Sequence, residues 1–194
     1  MKTTLLTANL SAALLIAPKN DIRYYLNGVH LSFHHGDDSN TVDIVSTNGH
    51  MLFKSTQTLD YDEGAQTADF SLTIPRDAVE TVCRTARINK RKFVSLESLP
   101  DGRYMLGDVV FATVDGKFPD YGRVIPEKCS GEVAQFNHAY LKTASDALRI
   151  AYDNKSIHTH LSHNGTSSAV VHTSLRKAFV VVMPLRCDVS NWSA

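Results

Sequence analysis

Three short amphipathic segments recur along the chain about every 65 residues, and each is followed by alternating or β-branched runs. They begin near residues 7, 75 and 138, with apolar residues at the spacing of one buried helix face. Pro18 ends the first segment, because proline disfavours helix at the residue before it, and Pro75 is suited to begin the second. The pattern predicts three similar units, with a period longer than that of the common solenoid repeats.

The runs between these helices have the composition of β-strands. Asn-Gly or Asp-Gly dipeptides at residues 27, 48, 101 and 164 are typical of turns between strands. Because strands follow one another without regular strand–helix alternation, we expect antiparallel sheets and the α+β class. The predicted strands are 22–33, 41–53, 70–74, 93–96, 104–114, 156–162, 168–174 and 179–185.

Composition excludes several classes of protein. Twenty Lys and Arg are balanced by twenty Asp and Glu, which argues against coating nucleic acid by bulk charge but leaves a local basic stripe open. The three cysteines are widely spaced with no C-x-x-C pair, so we expect neither a disulfide framework nor a cysteine zinc site, and a cytoplasmic location. No apolar run reaches the roughly 18 residues of a membrane span.

Candidate chemistry is sparse. His158 and His160 would share one face of a strand, with His163 nearby, and could bind a metal ion, although exposed strand histidines are commoner. Nucleophile-elbow, P-loop and zinc-protease motifs are all missing from the sequence. We therefore expect no enzyme, no cofactor and no metal.

Five motifs together carry a family resemblance: RYYLNG (23–28), STNGHMLF (46–53), TIPRDAVE (73–80), VDGKFPDYGRVIP (114–126) and VVMPLR (181–186). Their order and approximate spacing are similar to those of the bacterial DNA polymerase III beta subunit, the beta sliding clamp. The resemblance implies the DNA-clamp fold, with antiparallel sheets outside and helices lining a ring pore. It also implies a complete clamp domain over 1–126, in half-units of about 1–65 and 66–126, and half a domain over 127–194.

The resemblance implies a processivity factor: a ring that encircles double-stranded DNA without reading its sequence and tethers DNA polymerase and clamp-loader subunits. A sliding ring should offer scattered basic side chains to phosphates. Helix one contributes none between residues 3 and 18, whereas the spacing i, i+3, i+7 predicts a basic stripe of Arg84, Arg87 and Arg91 on helix two. The expected DNA-binding residues are Arg84, Arg87, Lys90, Arg91, Lys92, Lys142 and Arg149.

In this family, a hydrophobic pocket captures short linear motifs of partner proteins. Its lining here would be mainly aliphatic, as a peptide-anchor site requires. Met51 departs from the family, which usually has Arg at that position. The expected pocket residues are Arg23, Leu26, Thr47, Gly49, His50, Met51, Leu52, Pro119, Arg123, Val124, Ser168, Val181, Val182, Met183, Pro184, Leu185 and Arg186.

Ring closure predicts an oligomer. Family rings contain twelve half-domain units, so three units per chain would require four chains, a homotetramer, joined head-to-tail if every pocket is to face one side. Three units per chain cannot keep the usual alternation of within-domain and between-domain joints, so at least one joint must be non-standard. A smaller ring and an open dimer are the alternatives to the tetramer.

An alternative belongs to a different class of protein. A clamp-like interaction protein could sequester clamp-binding motifs, or modulate host replication, without encircling DNA. The uncharged first helix and the missing half-domain favour this alternative, whereas the basic residues of the other two helices favour the ring.

Overall fold

The computed structural model describes residues 1–36, 39–59 and 69–186. Short 3₁₀ turns lie at Tyr24–Leu26 and Tyr121–Val124. The elements of these ranges are β1 (Lys2–Leu6), α1 (Thr7–Ile16), β2 (Gly28–His34), β3 (Asn40–Thr47), β4 (Met51–Leu59), β5 (Phe70–Pro75), α2 (Arg76–Ile88), β6 (Phe93–Ser98), β7 (Tyr104–Leu106), β8 (Val109–Phe111), α3 (His138–Ala151), β9 (His160–Ser162), β10 (Ala169–His172) and β11 (Ala178–Val182).

All three predicted helices are present, each beginning within one residue of the expected start. Pro75 is the residue before α2 and not its first helical residue. The helix ends at Ile88, so Lys90, Arg91 and Lys92 lie in the turn after it, where Lys90 has a positive φ of 54°. The expectation that Arg91 continues the stripe of Arg84 and Arg87 on one helix was therefore wrong.

Several predicted strands are divided or shortened. The run 41–53 forms β3 and β4 around a turn at Gly49, and 104–114 forms β7 and β8 around Gly107. Both glycines have positive φ, 88° and 57°, a conformation that favours glycine over other residues. The run 22–33 becomes a strand only at Gly28, and 156–162 only at His160.

The strands form two antiparallel sheets, as the α+β class and the clamp fold require. One sheet has the order β1-β6-β7-β8, and the other has the order β5-β2-β3-β4-β11-β10-β9. We call residues 1–59, with β1–β4 and α1, unit 1; residues 69–126, with β5–β8 and α2, unit 2; and residues 127–186, with α3 and β9–β11, unit 3. In each unit the lead segment is the stretch directly before the helix.

Units 1 and 2 exchange their lead strands. β1 of unit 1 pairs with β6 of unit 2, and β5 of unit 2 pairs with β2 of unit 1. In both ladders the buried residue two positions before the helix meets a buried valine: Leu5 opposite Val94, and Ile74 opposite Val29. The two units therefore form one intertwined module.

Unit 3 joins through its last strand, since β11 pairs antiparallel with β4, the last strand of unit 1. The expected strand-helix-three-strand pattern is incomplete here. Among the described residues, no strand is formed by the lead segment 132–137 before α3.

The core lies between the sheets and the three helices. α1 packs against both α2 and α3, so it is buried on two flanks as well as underneath. Its buried residues, Asn9, Leu10, Ala12, Ala13 and Ile16, point in several directions around the helix. This central position explains why a charged stripe is missing from α1: it has little surface on which to place one.

Candidate functional site

An apolar cluster covers the outer face of the seven-stranded sheet, opposite the helices. Successive residues of a strand point to opposite faces, so the neighbours of core-facing residues on β3, β4 and β11 point outward. Val45, Leu52 and Val181 are such residues, and Val181 lies directly opposite Leu52. Leu26 and Phe118 complete the buried set, which we call the outer cluster. All three units therefore contribute to it, because Phe118 follows β8.

The segment after β8 lies over this face. Tyr121, Val124 and Ile125 are half-buried and pack against the outer cluster. The Ser168 hydroxyl, just before β10, donates a hydrogen bond of 2.7 Å to the Val124 carbonyl. Two expected pocket residues that are 44 positions apart in the sequence, Val124 and Ser168, are thus in direct contact.

The turn between β3 and β4 links two further motifs. The Asn48 side-chain oxygen accepts the backbone N–H groups of His50 and Met51, each at 2.9 Å. The Thr47 hydroxyl donates to the Met51 carbonyl at 2.8 Å. From the end of β11, the Met183 N–H donates to the His50 carbonyl at 2.9 Å. The motifs at 46–53 and 181–186 are therefore adjacent.

Arg23 holds the same turn from the other side. Its guanidinium donates to the Asn48 carbonyl at 3.1 Å and forms an ion pair of 2.7 Å with Asp21. Hydrogen bonds from Arg23 lower the pKa of Asp21 to about 2. A Cβ at Gly49 would lie 2.8 Å from the Arg23 Nη1 atom, so the arginine occupies space that only glycine leaves open.

The rim of the outer cluster is exposed. Leu185 is 48% exposed, and Met183 and Pro184 are half-buried. Arg123 pairs with Asp120 at 3.0 Å. The other exposed residues of the expected pocket are Arg23, Gly49, His50, Pro119 and Arg186. Apolar floor, half-buried wall and polar rim form the kind of surface that anchors a short peptide.

Two expected pocket residues face the other way. Met51 and Val182 are opposite each other in the β4–β11 ladder, and both belong to the core on the helix side of the sheet. Strand alternation is the reason, because each is the neighbour of an outward residue, Leu52 or Val181. Neither Met51 nor Val182 lines the outer face.

Sequence reasoning missed His30. Its ring stacks on Phe118 with centroids 4.3 Å apart, and its Nδ1 atom lies 3.0 Å from the Thr73 hydroxyl. Burial lowers the pKa of His30 to about 4, so the ring is neutral at pH 7. This neutral ring holds the segment after β8 against the sheet. The alternation of β2 predicts an outward residue at this position but not its partner.

A buried carboxylate anchors the same segment. Asp43 accepts hydrogen bonds from the Thr56 hydroxyl at 2.6 Å and from the Tyr121 hydroxyl at 3.2 Å, and pairs with Lys54 at 2.9 Å. Burial acts to raise the pKa of Asp43, but the Thr56 and Lys54 hydrogen bonds and the Lys54 charge outweigh it and lower the pKa. Burial and the nearby Asp43 charge raise the pKa of Tyr121 to about 12.

The expected DNA-binding residues all lie on exposed surface. Arg84 and Arg87 are on α2, opposite its buried stripe. Arg91, in the turn with Lys90 and Lys92, lies 3.7 Å from Asp108.

The basic residues of α3 share one carboxylate. Lys142 and Arg149 reach Asp146 at 2.6 Å and 3.2 Å. Most of the uncompensated positive charge among the expected residues therefore lies around α2.

Comparisons with curated proteins and with solved structures both find beta sliding clamps. A scan against protein-family models finds no match to the chain. It is 27% identical over 158 residues to the beta sliding clamp of Vibrio cholerae, covering 80% of this chain and 39% of that protein. It is 31% identical over 110 residues to that of Proteus mirabilis, covering 55% and 28%. The chain is a homologue of the bacterial beta sliding clamps.

Solved clamp structures match this clamp homologue over 96% of its chain. The Helicobacter pylori beta clamp gives a TM-score of 0.74 at 14% identity, covering 96% of this chain and 66% of that chain. The Pseudomonas aeruginosa DNA polymerase III beta subunit gives 0.70 at 20% identity, with 96% and 67% covered. The homologue spans about two fifths of the Vibrio cholerae protein that it matches.

Other features of this clamp homologue give less support for a functional site than the outer cluster does. Within the described ranges, no group of three or more His, Cys, Asp or Glu could hold a metal ion. His160 and His172 have ring centroids 5.9 Å apart, and His172 bonds to Ser162 at 2.8 Å. A polar cleft of about 480 Å³ beside Thr73 and Lys117 contains none of the expected pocket residues. The described helices include none long and apolar enough to span a membrane.

Proposed function

We propose that this clamp homologue is a sliding clamp, a processivity factor whose ring encircles double-stranded DNA and tethers DNA polymerase through a peptide held on the outer cluster. The observation that carries the proposal is that the outer cluster and the exposed basic residues lie on opposite sides of one sheet–helix layer. A protein of this design can hold a partner outside while facing DNA inside.

Charge on the helix side supports the DNA contact. Arg84 and Arg87 are exposed, with Lys90 and Lys92 nearby in the turn after α2. Such side chains neutralise phosphates without reading bases, so binding of this kind is independent of sequence and weakens with salt. We propose Arg84, Arg87, Lys90, Arg91, Lys92, Lys142 and Arg149 as the DNA-facing set.

Geometry on the outer side supports the peptide contact. Buried Leu26, Leu52 and Val181 support the site from below. The apolar surface open to a peptide is that of half-buried Val124, Met183 and Pro184 and of exposed Leu185. Apolar anchors bound at such a site supply most of the affinity of a short linear motif. We propose the clamp-binding motifs of polymerase and clamp-loader subunits as the ligands.

The exchanged lead strands support a domain assignment. Because β1 and β5 each complete the sheet of the other unit, residues 1–126 fit one complete clamp domain, and 127–186 fit half of a second. We propose a homotetramer of twelve units, located in the cytoplasm, where the buried Cys83 and the partly buried Cys129 stay as thiols.

Topological retention on DNA tests this function. The protein would be loaded on circular plasmid DNA with a bacterial clamp loader and ATP, and separated from free protein by gel filtration. We expect retention on the circle and loss after one restriction cut, because a ring slides off a free end. Equal retention on linear DNA, or none on circular DNA, would contradict encirclement.

A second candidate function is a partner-binding protein that does not encircle DNA. It is favoured by the absence of charge on α1 and by Asp146, which offsets the basic residues of α3. The two functions differ in one respect. Both need the outer cluster and Leu185, but only the ring needs Arg84 and Arg87.

A further inference from the structure

Units 1 and 2 show how two units of this fold join. Their lead strands cross over reciprocally, so the joint has approximate two-fold symmetry. At each crossing, the first helical residue also bonds to the neighbouring unit. The Thr7 N–H donates to the Lys92 carbonyl at 3.0 Å, and the Arg76 N–H donates to the Asn27 carbonyl at 3.1 Å.

The lead segment of unit 3, residues 132–137, is placed like the other two. The residue two positions before the helix is buried in all three units: Leu5, Ile74 and Phe136. The carbonyl three positions before the helix accepts a hydrogen bond from its own unit in every case. These bonds are Gln57 Nε2 to Thr4 O (2.9 Å), Val114 N to Thr73 O (2.9 Å) and Leu185 N to Gln135 O (2.8 Å).

The opposite edge of this segment has no partner among the residues that the structure describes. Within the described ranges, the backbones of Ala134 and Phe136 and the N–H of His138 make no hydrogen bond. The corresponding groups of units 1 and 2 face the neighbouring unit, as the Thr7 and Arg76 bonds show. The lead segment of unit 3 is therefore placed like a lead strand, and its pairing edge is open among the described residues.

The strand that should receive a lead strand is open too. β9 lies at the edge of its sheet and has three residues, whereas β2 has seven and β6 has six. Burial nevertheless continues to alternate upstream, with Ile157, Thr159 and Leu161 half-buried between exposed His158 and His160. Residues 157–159 thus have the strand pattern, but they pair with no neighbouring strand among the described residues.

We propose that two copies of this chain join through unit 3, each giving its lead segment to the β9 edge of the other. The joint repeats the exchange seen between units 1 and 2, with an exact two-fold axis in place of an approximate one. A self-complementary surface of this kind produces a closed pair. Ala134, Phe136 and His138 would bond to residues 157–162 of the second copy, as an added strand bonds to an exposed sheet edge.

The pairing restores the alternation of joints, which the sequence suggested could not be kept. The pair would contain six units in the order 2, 1, 3, 3, 1, 2. Lead-strand exchange would join units 2 and 1 and the two copies of unit 3, and last-strand pairing would join units 1 and 3. The two kinds of joint would therefore alternate. Both ends of this arc would present β8, the last strand of unit 2, at a sheet edge. Two such pairs could close into a ring if their β8 edges paired antiparallel, as β4 and β11 pair within the chain. That ring would contain four chains and would have no head-to-tail contacts. Pockets would then face both sides of the ring.

Solution mass tests the pairing without DNA or partners. We expect light scattering after size exclusion to give an even number of chains for the full protein, and half that mass for Ala134→Pro. Proline keeps a small apolar side chain but removes the N–H that the joint uses. The matched variant Gln135→Pro changes the neighbouring N–H, which lies on the side facing its own chain, and should keep the original mass.

Hydrogen exchange of the unmodified protein gives an independent readout. The amides of 134–138 and 157–162 should become more protected as protein concentration rises, because pairing buries them. The inference is overturned by a monomer at every concentration, by an Ala134→Pro variant that folds and keeps the original mass, or by protection that is independent of concentration. Failure to be retained on DNA would overturn the proposed function but not this pairing.

Discussion

Val181 of β11 lies directly opposite Leu52 of β4, and both side chains point to the outer face of the sheet. The first belongs to unit 3 and the second to unit 1. The outer cluster therefore exists only because the last strands of these two units pair. A partner that binds there contacts a surface formed by both strands, and neither motif alone forms that surface.

Loss of the exposed apolar edge should weaken partner binding without harming the fold. Leu185 is 48% exposed, so Leu185→Ala should leave the melting temperature unchanged. Affinity for a clamp-binding peptide should fall about tenfold, the value of roughly 1.4 kcal/mol of lost apolar burial. Leu175→Ala, at a leucine 59% exposed between β10 and β11, is the control. Equal loss in both variants, measured by fluorescence anisotropy, would remove Leu185 from the site.

Removing the charges of Arg84 and Arg87 on α2 should reduce the salt dependence of DNA binding. If Arg84 and Arg87 each contact a phosphate, replacing both with Gln should reduce the slope of log K against log salt by about 2. Arg103→Gln, which breaks a surface pair with Asp101, should leave the slope unchanged. A double variant with the original slope would show that α2 does not face DNA.

Removing the carboxylate of α3 should have the opposite effect. Asp146 holds both Lys142 and Arg149, so Asp146→Asn frees two cations and should tighten DNA binding and steepen its salt dependence. Asp120→Asn frees Arg123 on the outer face and should change neither. Unchanged binding by the Asp146 variant would argue against α3 as a DNA-facing helix.

Gly49 should tolerate a side chain less well than a glycine of similar conformation. Gly49 and Gly102 have φ of 88° and 81°, so alanine should cost each about 1–2 kcal/mol of backbone strain. A Cβ at Gly102 meets nothing within 4 Å, whereas at Gly49 it meets the Arg23 guanidinium at 2.8 Å. Urea unfolding should therefore show a larger loss for Gly49→Ala, and equal losses would contradict the contact.

Acid should weaken the fold partly through His30. Its pKa is lowered from 6.5 to about 4 by burial, so the unfolded chain binds the proton more readily. Stability from this residue is complete above pH 6.5 and is lost as pH falls toward 4, by up to about 3 kcal/mol. The free energy of unfolding of His30→Gln should depend less on pH in that window. A parallel pH profile for the two proteins would place the pKa of His30 near its ordinary value.

Local pattern was sufficient for much of the fold. The three helices and the antiparallel α+β class follow from apolar spacing and turn dipeptides, which depend on neighbouring residues only. The motifs at 46–53 and 181–186 also predicted residues that meet in space, through family resemblance. Two of these predicted residues, Met51 and Val182, do not line the outer face. Each is next to an outward-facing residue of its strand, so strand alternation turns it toward the core.

Residues 22–33 show where local pattern was insufficient. Their composition favours strand throughout, yet 24–26 form a 3₁₀ turn that brings Leu26 into the outer cluster. The His30–Phe118 stack and the Asp43–Tyr121 bond join segments far apart in sequence, so no local signal predicts them.

The sequence by itself determined the repeat of three units, because helix and strand periodicity are properties of short stretches of chain. Tertiary structure alone decided how the units join: lead strands exchanged between units 1 and 2, last strands paired between units 1 and 3, and an open edge at β9. The physical reason is that strand pairing satisfies backbone groups, which are the same in every residue, so the choice of partner depends on which edges the folded units bring together.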